Sequence, residues 1–513
     1  MYKILMITSE AEPFAKVGGL GEAVSSMAVE LSRRGHDVRI VLPRYYFIDP
    51  VKERLYRNPA PLGIPLGIRE EWIGVYESFL PGTKKKVPVY FLDHDGLYGR
   101  DGVYGPWGGE GFGDNVLRYA LLCRGAFQLC RMIDWIPDIM HSHDWPGSLS
   151  SVYLKTLDSH TEFAQTAAVL TIHNAGYQGI YPKDTMPDTG LPWEHFHGSG
   201  FEYYDEVNLL QAGIKNSDTV TTVSPGYARE ILTPEKGNGL DGILREKAGL
   251  FTGILNGIDY TVWNPETDPF LPHHFSENTL EEKEKLKTRL KEQIFLTADR
   301  DRPLIGMVGR IVEQKGYGVL LDGYMGLETI CRDLDVQIVV LGTGSAAYEQ
   351  ELSRLARKLP NLKVILKFNT QLAHLIEAGA DFFLMPSLFE PCGLNQLYSL
   401  RYGAIPIVSN TGGLADTVEN YNEKTDKGTG ILIDEVTPQN IYAAIEKVLD
   451  LYTRNKKAIL SMRKQGMVKR FSWDHSAEKY EESYKNALKM RRGDEPAAPK
   501  KRKKKNEKPE KQE

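Results

Sequence analysis

Cysteine is scarce in this chain: four residues among 513, with no CxxC pair. That excludes a disulfide framework and fits a reducing cytoplasm. No stretch is apolar for long enough to span a membrane. The N-terminal MYKILMITSE has too short an apolar run for a signal peptide and no cleavage-type region after it, so it reads as a buried first strand. No charge of one sign dominates, and a formal net charge of -5 gives no general case for nucleic acid as a partner. The glycine loop KVGGLG after the first strand is not a GxGxxG fingerprint, and there is no GxxxxGK(S/T) loop to support an ATPase. No internal repeat is strong enough to assign.

What is present is the composition of a soluble globular protein, 41% hydrophobic and 26% charged. The length is too great for one ordinary core and calls for two domains plus extras. Near-continuous apolar runs alternate with helical stretches at 3–8, 37–42, 87–92, 139–141, 167–171 and 219–223. A second series follows at 304–308, 336–341, 362–366, 382–385 and 405–408. Such runs separated by helices predict parallel sheets covered on both faces. The fold class is therefore α/β, with two doubly wound, Rossmann-like domains. The expected boundaries are 1–255 for the first domain and 256–470 for the second, with the break near Asn256-Gly257-Ile258-Asp259. A charged helix at 280–294 leads into the second sheet. Another helix, at 471–490, follows Phe471-Ser472-Trp473. The remainder, 491–513, contains KKRKKK and almost nothing apolar, which predicts a disordered basic tail.

In open α/β sheets ligands sit at the carboxyl ends of the strands, and the chemistry-bearing residues fall there. The stretch 386–418 packs one carboxylate, Glu390, and two glycine turns around a short helix-then-strand unit. Helix starts predicted at Leu394 and after Thr411-Gly412-Gly413 offer free N–H groups suited to a diphosphate. A carboxylate beside phosphate is repelled, so Glu390 is expected to face hydroxyls, and phosphate with hydroxyls means a sugar nucleotide. Arg310 and Lys315 in GRIVEQKG stand at the end of the first strand of the second series, placed to neutralise a diphosphate without metal. Lys16, Gly18 and Gly19 follow the first strand of the chain, where glycines admit close backbone approach. Asp144 and Trp145 of HSHDW are expected to hold a sugar. No downstream His or Cys pair completes a zinc site there. His173 ends the next strand, before a glycine-containing loop. The triplets Asp93-His94-Asp95 and Asp333-Leu334-Asp335 read as turn residues rather than a metal site. Cys392 has no activating base beside it in sequence, so a packing or contact role is expected rather than a nucleophile.

The motifs KVGGLGE, HSHDW, THNAGYQG, VSPGYAREI, NGID, GRIVEQKG, EPCGLNQ and TGGLADTV occur in order along nearly the whole chain. In that ordered set the chain resembles the family of bacterial glycogen synthase and plant starch synthase, retaining transferases with two facing Rossmann-like domains, the GT-B architecture. The resemblance implies an N-terminal domain that binds the growing α-1,4-glucan and a C-terminal domain that binds ADP-glucose. It implies catalytic roles for His173, Arg310, Lys315 and Glu390. It implies donor contacts from Lys16, Gly18, Gly19, Asp144, Asn256, Phe368, Cys392, Gly393, Thr411, Gly412 and Gly413, with Phe368 stacking on adenine. The helix after Trp473 resembles one that crosses back to the N-terminal domain. No metal and no cofactor are implied, and the location implied is cytoplasmic. Many relatives have Asp where Glu22 stands and Phe-Leu-Lys where this chain has Leu209-Leu210-Gln211. The alternatives are a noncatalytic glucan-binding paralogue, a transferase using UDP-glucose, a phosphorylase with a pyridoxal cofactor and a metal-dependent transferase.

Overall fold

The computed structural model describes residues 1–81, 86–106, 110–297 and 301–493. Most of the predicted tail, 494–513, lies outside the described residues. Its first three residues do not: the last helix runs Trp473–Arg492 with Gly493 after it, and Arg491 donates to the carbonyls of Ala164 and Leu154 at 2.9 and 3.1 Å. The boundary at 491 is therefore corrected to the end of that helix.

Among the described residues the two predicted strand series become two separate sheets. The first has the spatial order Phe251–Gly253, Thr219–Thr222, Ala167–Ile172, Ile139–His143, Lys3–Ile7, Asp37–Pro43, Pro88–Asp93, Arg69–Phe79 and Tyr56–Arg57, with Leu62–Leu66 paired to Arg69–Phe79. It is parallel from Phe251–Gly253 through Pro88–Asp93 and antiparallel beyond. The second sheet is parallel throughout, in the order Leu362–Ile365, Gln337–Leu341, Leu304–Val308, Phe382–Met385, Ile405–Ser409 and Ile431–Ile433. The central strands are buried along nearly their whole length, as sheets covered by helices on both faces require.

Strand order reverses once in the parallel part of each sheet. In the first, successive strands run one way from Lys3–Ile7 and the other way from Ile139–His143. In the second, the reversal falls between Leu304–Val308 and Phe382–Met385. Loops leaving neighbouring strands at such a point part from each other and leave a crevice. These are the loops that carry Lys16, Asp144, Arg310, Lys315 and Glu390.

Local chemistry fixes the helices that support these crevices. Thr437 caps Asn440 N–H with Pro438 in the first turn of Pro438–Arg454, and Asn369 caps Leu372 N–H at the start of Thr370–Gly379. The helix Glu281–Gln293 looks too charged to pack, yet Lys283, Lys287 and Lys291 are buried. Lys283 Nζ donates to the carbonyls of Ala378 and Tyr402, at the ends of two other helices, and burial pulls its ammonium down to about 7. Lys287 pairs with Asp381 at 2.7 Å, and Arg463 takes the other oxygen of that carboxylate at 2.6 Å.

The last helix follows the second sheet in sequence but packs on the first. Tyr484 hydroxyl lies 2.9 Å from His141 Nδ1, and Trp473, Ala477 and Tyr480 join the apolar core beneath Lys3–Ile7. The chain crosses between sheets twice at one place. Ile258 pairs with Ser472, and a Cβ on Gly257 would meet Trp473 backbone N at 2.6 Å.

Candidate active site

The two crevices meet. Gly19, opening the helix Gly19–Arg33, lies so close to Leu394 that an added Cβ would touch its Cδ1 at 3.4 Å. A Cβ on Gly176 would lie 3.8 Å from Phe389. Ser224 donates to the Pro391 carbonyl at 2.6 Å, and Gly226 N–H donates to Asp416 at 2.5 Å. The sequence-predicted groups of both halves thus line one interface.

On the first sheet's side, Glu10 Oε2 accepts the N–H groups of Val17 at 2.6 Å and Gly18 at 3.1 Å. Its other oxygen accepts from Tyr104. The main-chain donors of Val17 and Gly18 in the glycine loop are therefore paired internally. Lys16 Nζ sits between Glu12 at 3.0 Å and Glu22 at 2.9 Å. Burial works against its charge, but the two carboxylates outweigh that and hold the ammonium above its ordinary range.

Asp144 has a left-handed backbone, φ +52°, a conformation unusual outside glycine. That turn aims its carboxylate at the next loop, where Oδ1 accepts His173 N–H at 2.6 Å and Asn174 N–H at 3.3 Å. Burial pushes its carboxyl up to about 7 against those two bonds, with Glu10 adding repulsion. His173 Nε2 lies 3.1 Å from His143 Nδ1. Burial pushes His173 down to about 3 and His143 well below its usual value, so the pair is neutral and one ring must donate to the other. His143 Nε2 and Asn256 Oδ1 are buried without a partner among the described residues. Trp145, expected to meet a sugar, is instead core. It packs edge-on to Tyr119 at 4.7 Å, and a Cβ on Gly179 would strike its ring.

On the second sheet's side, Arg310 follows Leu304–Val308; its carbonyl accepts Val312 N–H at 3.1 Å, and its guanidinium has no hydrogen-bond or ion-pair partner among the described residues. Lys315 ends a short 3-10 turn and pairs with Glu390 Oε2 at 2.5 Å, which also accepts from Ser387 at 3.1 Å. Gly316, at φ +78°, has no room for a Cβ, which would meet the Pro386 carbonyl at 1.9 Å. That approach brings the two loops together. The glycine turns of 386–418 interlock in the same way. A Cβ on Gly412 or Gly413 would lie 2.1 Å from the carbonyl of Glu390 or Cys392 respectively. Gly393 holds φ +70°. Cys392 is buried against Asn256, and burial pushes its thiol up to about 12, which agrees with a packing role. Phe368 is 83% exposed, in the loop after Leu362–Ile365.

The turn at Thr411–Gly413 departs from the expected picture of free phosphate donors. Gly412 N–H donates to Glu230 Oε1 at 2.9 Å, across from the first sheet's side, and Gly413 N–H donates to the Glu390 carbonyl at 3.0 Å. Glu230 also accepts from Thr411 and from Lys236, both at 2.9 Å. Sequence reasoning missed Glu10, Glu230, Asp416 and Tyr227. Tyr227 accepts Ala175 N–H at 3.0 Å, and its phenol is held high first by burial, then by Asp144, Glu230 and Glu390. The motif VSPGYAREI carried the only signal for Tyr227 and Glu230. The departure at Leu209-Leu210-Gln211 is a packing feature: both leucines are buried, and Gln211 donates to the carbonyls of Gly200 and Glu202.

Among the described residues no group of three or more His, Cys, Asp or Glu side chains is arranged to hold a metal ion. Asp93 pairs with Arg44 at 2.6 Å, and His94 caps the short helix Asp95–Tyr98. No helix of the described residues is long and apolar enough to cross a membrane.

Residues 3–246 match the family model for the starch synthase catalytic domain, and residues 289–465 match that for glycosyl transferases group 1. The chain is 50% identical to a protein of Treponema denticola named glycogen synthase, over 95% of this chain and 98% of that one. It is 42% identical to a Geobacter metallireducens protein named glycogen synthase 1, over 96% and 97%. The catalytic domain of starch synthase IV from Arabidopsis thaliana, solved with ADP and acarbose, superposes with a TM-score of 0.87 at 31% identity, covering 95% of this chain and 99% of that one. A sucrose-phosphate synthase from Thermosynechococcus elongatus, at 16% identity and a TM-score of 0.58, shares the fold. With two facing Rossmann-like sheets in the GT-B arrangement and relatives that match along nearly its whole length, this chain belongs to the glycogen synthase and starch synthase family of glycosyltransferases.

Proposed function

We propose that the chain transfers glucose from ADP-glucose to the nonreducing 4-hydroxyl of an α-1,4-glucan, with retention of anomeric configuration, in glycogen synthesis. The observation that carries this reading is the meeting of two switch-point crevices, one with Arg310 and Lys315, the other with the neutral His173 and Asp144. Residues 256–470 hold the donor in this reading, and residues 1–255 hold the acceptor.

The barrier is departure of a diphosphate from an oxocarbenium-like carbon. Arg310 presents a planar fork of donors and Lys315 a point charge, so both stabilise the charge that grows on the leaving oxygen. Lys315 does so from its pairing with Glu390, which holds the ammonium in place and leaves Glu390 beside the sugar hydroxyls. His173, Asp144 and Asn256 hold the sugar from above, and Asn256 Oδ1 is a buried acceptor for a ligand hydroxyl. The released diphosphate takes the acceptor proton. Closure of the two sides excludes water and protects the donor from hydrolysis. The set needs no metal and no cofactor.

The test is ADP release from ADP-glucose with glycogen as acceptor, repeated with UDP-glucose and with chelator. Turnover with ADP-glucose, unaffected by chelator, is expected. Glucan binding without turnover would sink the transferase reading, and preference for UDP-glucose would sink the donor assignment.

A further inference from the structure

We propose that Tyr398 is a positioning residue that reaches from the second sheet's side of the interface and, through Glu22, sets the place of Lys16. The proposal rests on the transfer reading above for its kinetic consequence but not for its geometry.

Glu22 has both oxygens engaged, one by each side. Oε2 holds Lys16 Nζ at 2.9 Å, and Oε1 accepts the Tyr398 hydroxyl at 2.5 Å. Tyr398 lies on the helix Asn395–Arg401, four residues after the Leu394 that abuts Gly19. The glycine loop and the helix that follows Glu390 therefore touch twice, once by packing and once through this carboxylate.

Tyr398 is a rigid anchor. It is 5% exposed, and its ring lies flat on Trp263, centroids 3.7 Å apart and planes 9° apart. Trp263 lies flat on His374 in turn at 3.8 Å. His374 Nδ1 and the Tyr402 hydroxyl both meet Asp268, at 2.7 and 2.6 Å. The stack leaves the Tyr398 hydroxyl no latitude, so it fixes one oxygen of Glu22 and thereby the direction in which the other holds Lys16. Burial and the nearby Glu22 charge keep the phenol protonated and a donor.

Side-chain length matters to this bridge. Aspartate at position 22 is shorter by one carbon, about 1.5 Å, and serves Lys16 or Tyr398 but not both. Glu22→Asp and Tyr398→Phe should therefore break the same link. Phenylalanine keeps the stack on Trp263, so the variant tests the hydroxyl and not the fold.

The experiment measures kcat, KM for ADP-glucose and thermal midpoint for the parent, Tyr398→Phe, Glu22→Asp and the double variant. A fall in kcat of tenfold or more is expected for each single variant, with KM within threefold, the midpoint nearly unchanged, and the double variant no worse than the poorer single. Selective acylation of lysines, read by mass spectrometry, follows Lys16 without any turnover, with the exposed Lys52 as reference. Lys16 reactivity should rise at least threefold in Tyr398→Phe. A parent without transferase activity overturns the transfer reading alone, and the acylation result still decides the bridge. Unchanged Lys16 reactivity, a kcat within twofold of parent, or single effects that multiply in the double variant would overturn the role of Tyr398.

Discussion

Replacing Asp144 by Asn should make the protein more stable at high pH and a poorer catalyst. The carboxyl is raised from the ordinary 3.8 to about 7. A rise of that size corresponds to at most about 4 kcal/mol of disfavoured charge, and the partial exposure of the side chain trims it to about 1–3 kcal/mol. The sign follows from proton counting. Between about 4 and 7 the folded chain holds a proton on Asp144 that the unfolded chain has lost, so stability falls as pH rises through that window and stays low above it. Asparagine removes the charge, keeps an oxygen to accept His173 and Asn174 N–H, and tolerates the left-handed backbone at φ +52°. Thermal unfolding of parent and Asp144→Asn across pH 4 to 8 reads the difference. Near pH 4 the midpoints should nearly coincide. By pH 8 the variant should melt higher by roughly 5 °C, given about 2–4 °C per kcal/mol for a domain of this size. Turnover should fall at least tenfold over the same range. A gap in midpoint that does not change with pH, or a variant less stable at pH 8, refutes the argument that burial of this carboxylate strains the fold.

Three further substitutions test the rest of the site. Lys315→Ala should lower kcat by about 10²-fold or more, as loss of a leaving-group cation does; near-normal turnover refutes its role. Phe368→Ala should raise KM for ADP-glucose about tenfold with kcat within twofold, since stacking on a base contributes about 1–3 kcal/mol; an unchanged KM removes Phe368 from the donor site. Glu230→Gln should weaken the bonds to Thr411, Gly412 and Lys236 by about 1–2 kcal/mol. The radius of gyration measured by X-ray scattering without nucleotide should then rise, and an unchanged value shows that this contact does not hold the two sides together.

Legibility in the sequence followed the range of the forces involved. The strands Leu304–Val308 and Phe382–Met385 emerge at their predicted bounds because burial on both faces leaves an unbroken apolar run. Arg69–Phe79 was missed. Its sequence REEWIGVYESF alternates along an antiparallel, partly exposed edge, and its neighbours Tyr56–Arg57 and Leu62–Leu66 are short. The strands Ile180–Pro182, Glu202–Tyr203 and Glu206–Asn208 are too short for any period to show. In the site, residues within one loop were legible as a group, whereas bonds between distant loops were not. Glu230 and Gly412 are 182 positions apart and Glu22 and Tyr398 are 376 apart, so no local pattern announces either pair.

Those long-range carboxylates change the electrostatic argument for the site. The sequence offered helix starts rich in glycine, and main-chain N–H groups at such starts attract anions. In the folded chain the anions are supplied by the protein itself: Glu10 on Val17 and Gly18, Glu230 on Gly412. Gly412 and Gly413 serve close packing of loop on loop, as the positions of their missing Cβ atoms show, whereas a Cβ on Gly18 would meet nothing within 4 Å. Lys315 and Lys16 are likewise balanced by Glu390 and Glu22. Arg310 is then the one cation of the proposed catalytic set without a carboxylate partner among the described residues. In the proposed transfer, an incoming diphosphate would meet that guanidinium directly, would share Lys315 with Glu390 and would compete with Glu230 for Gly412. On that reading a sugar diphosphate would be favoured over a bare phosphate, because the carboxylates at the site need hydroxyl donors and the sugar would bring them.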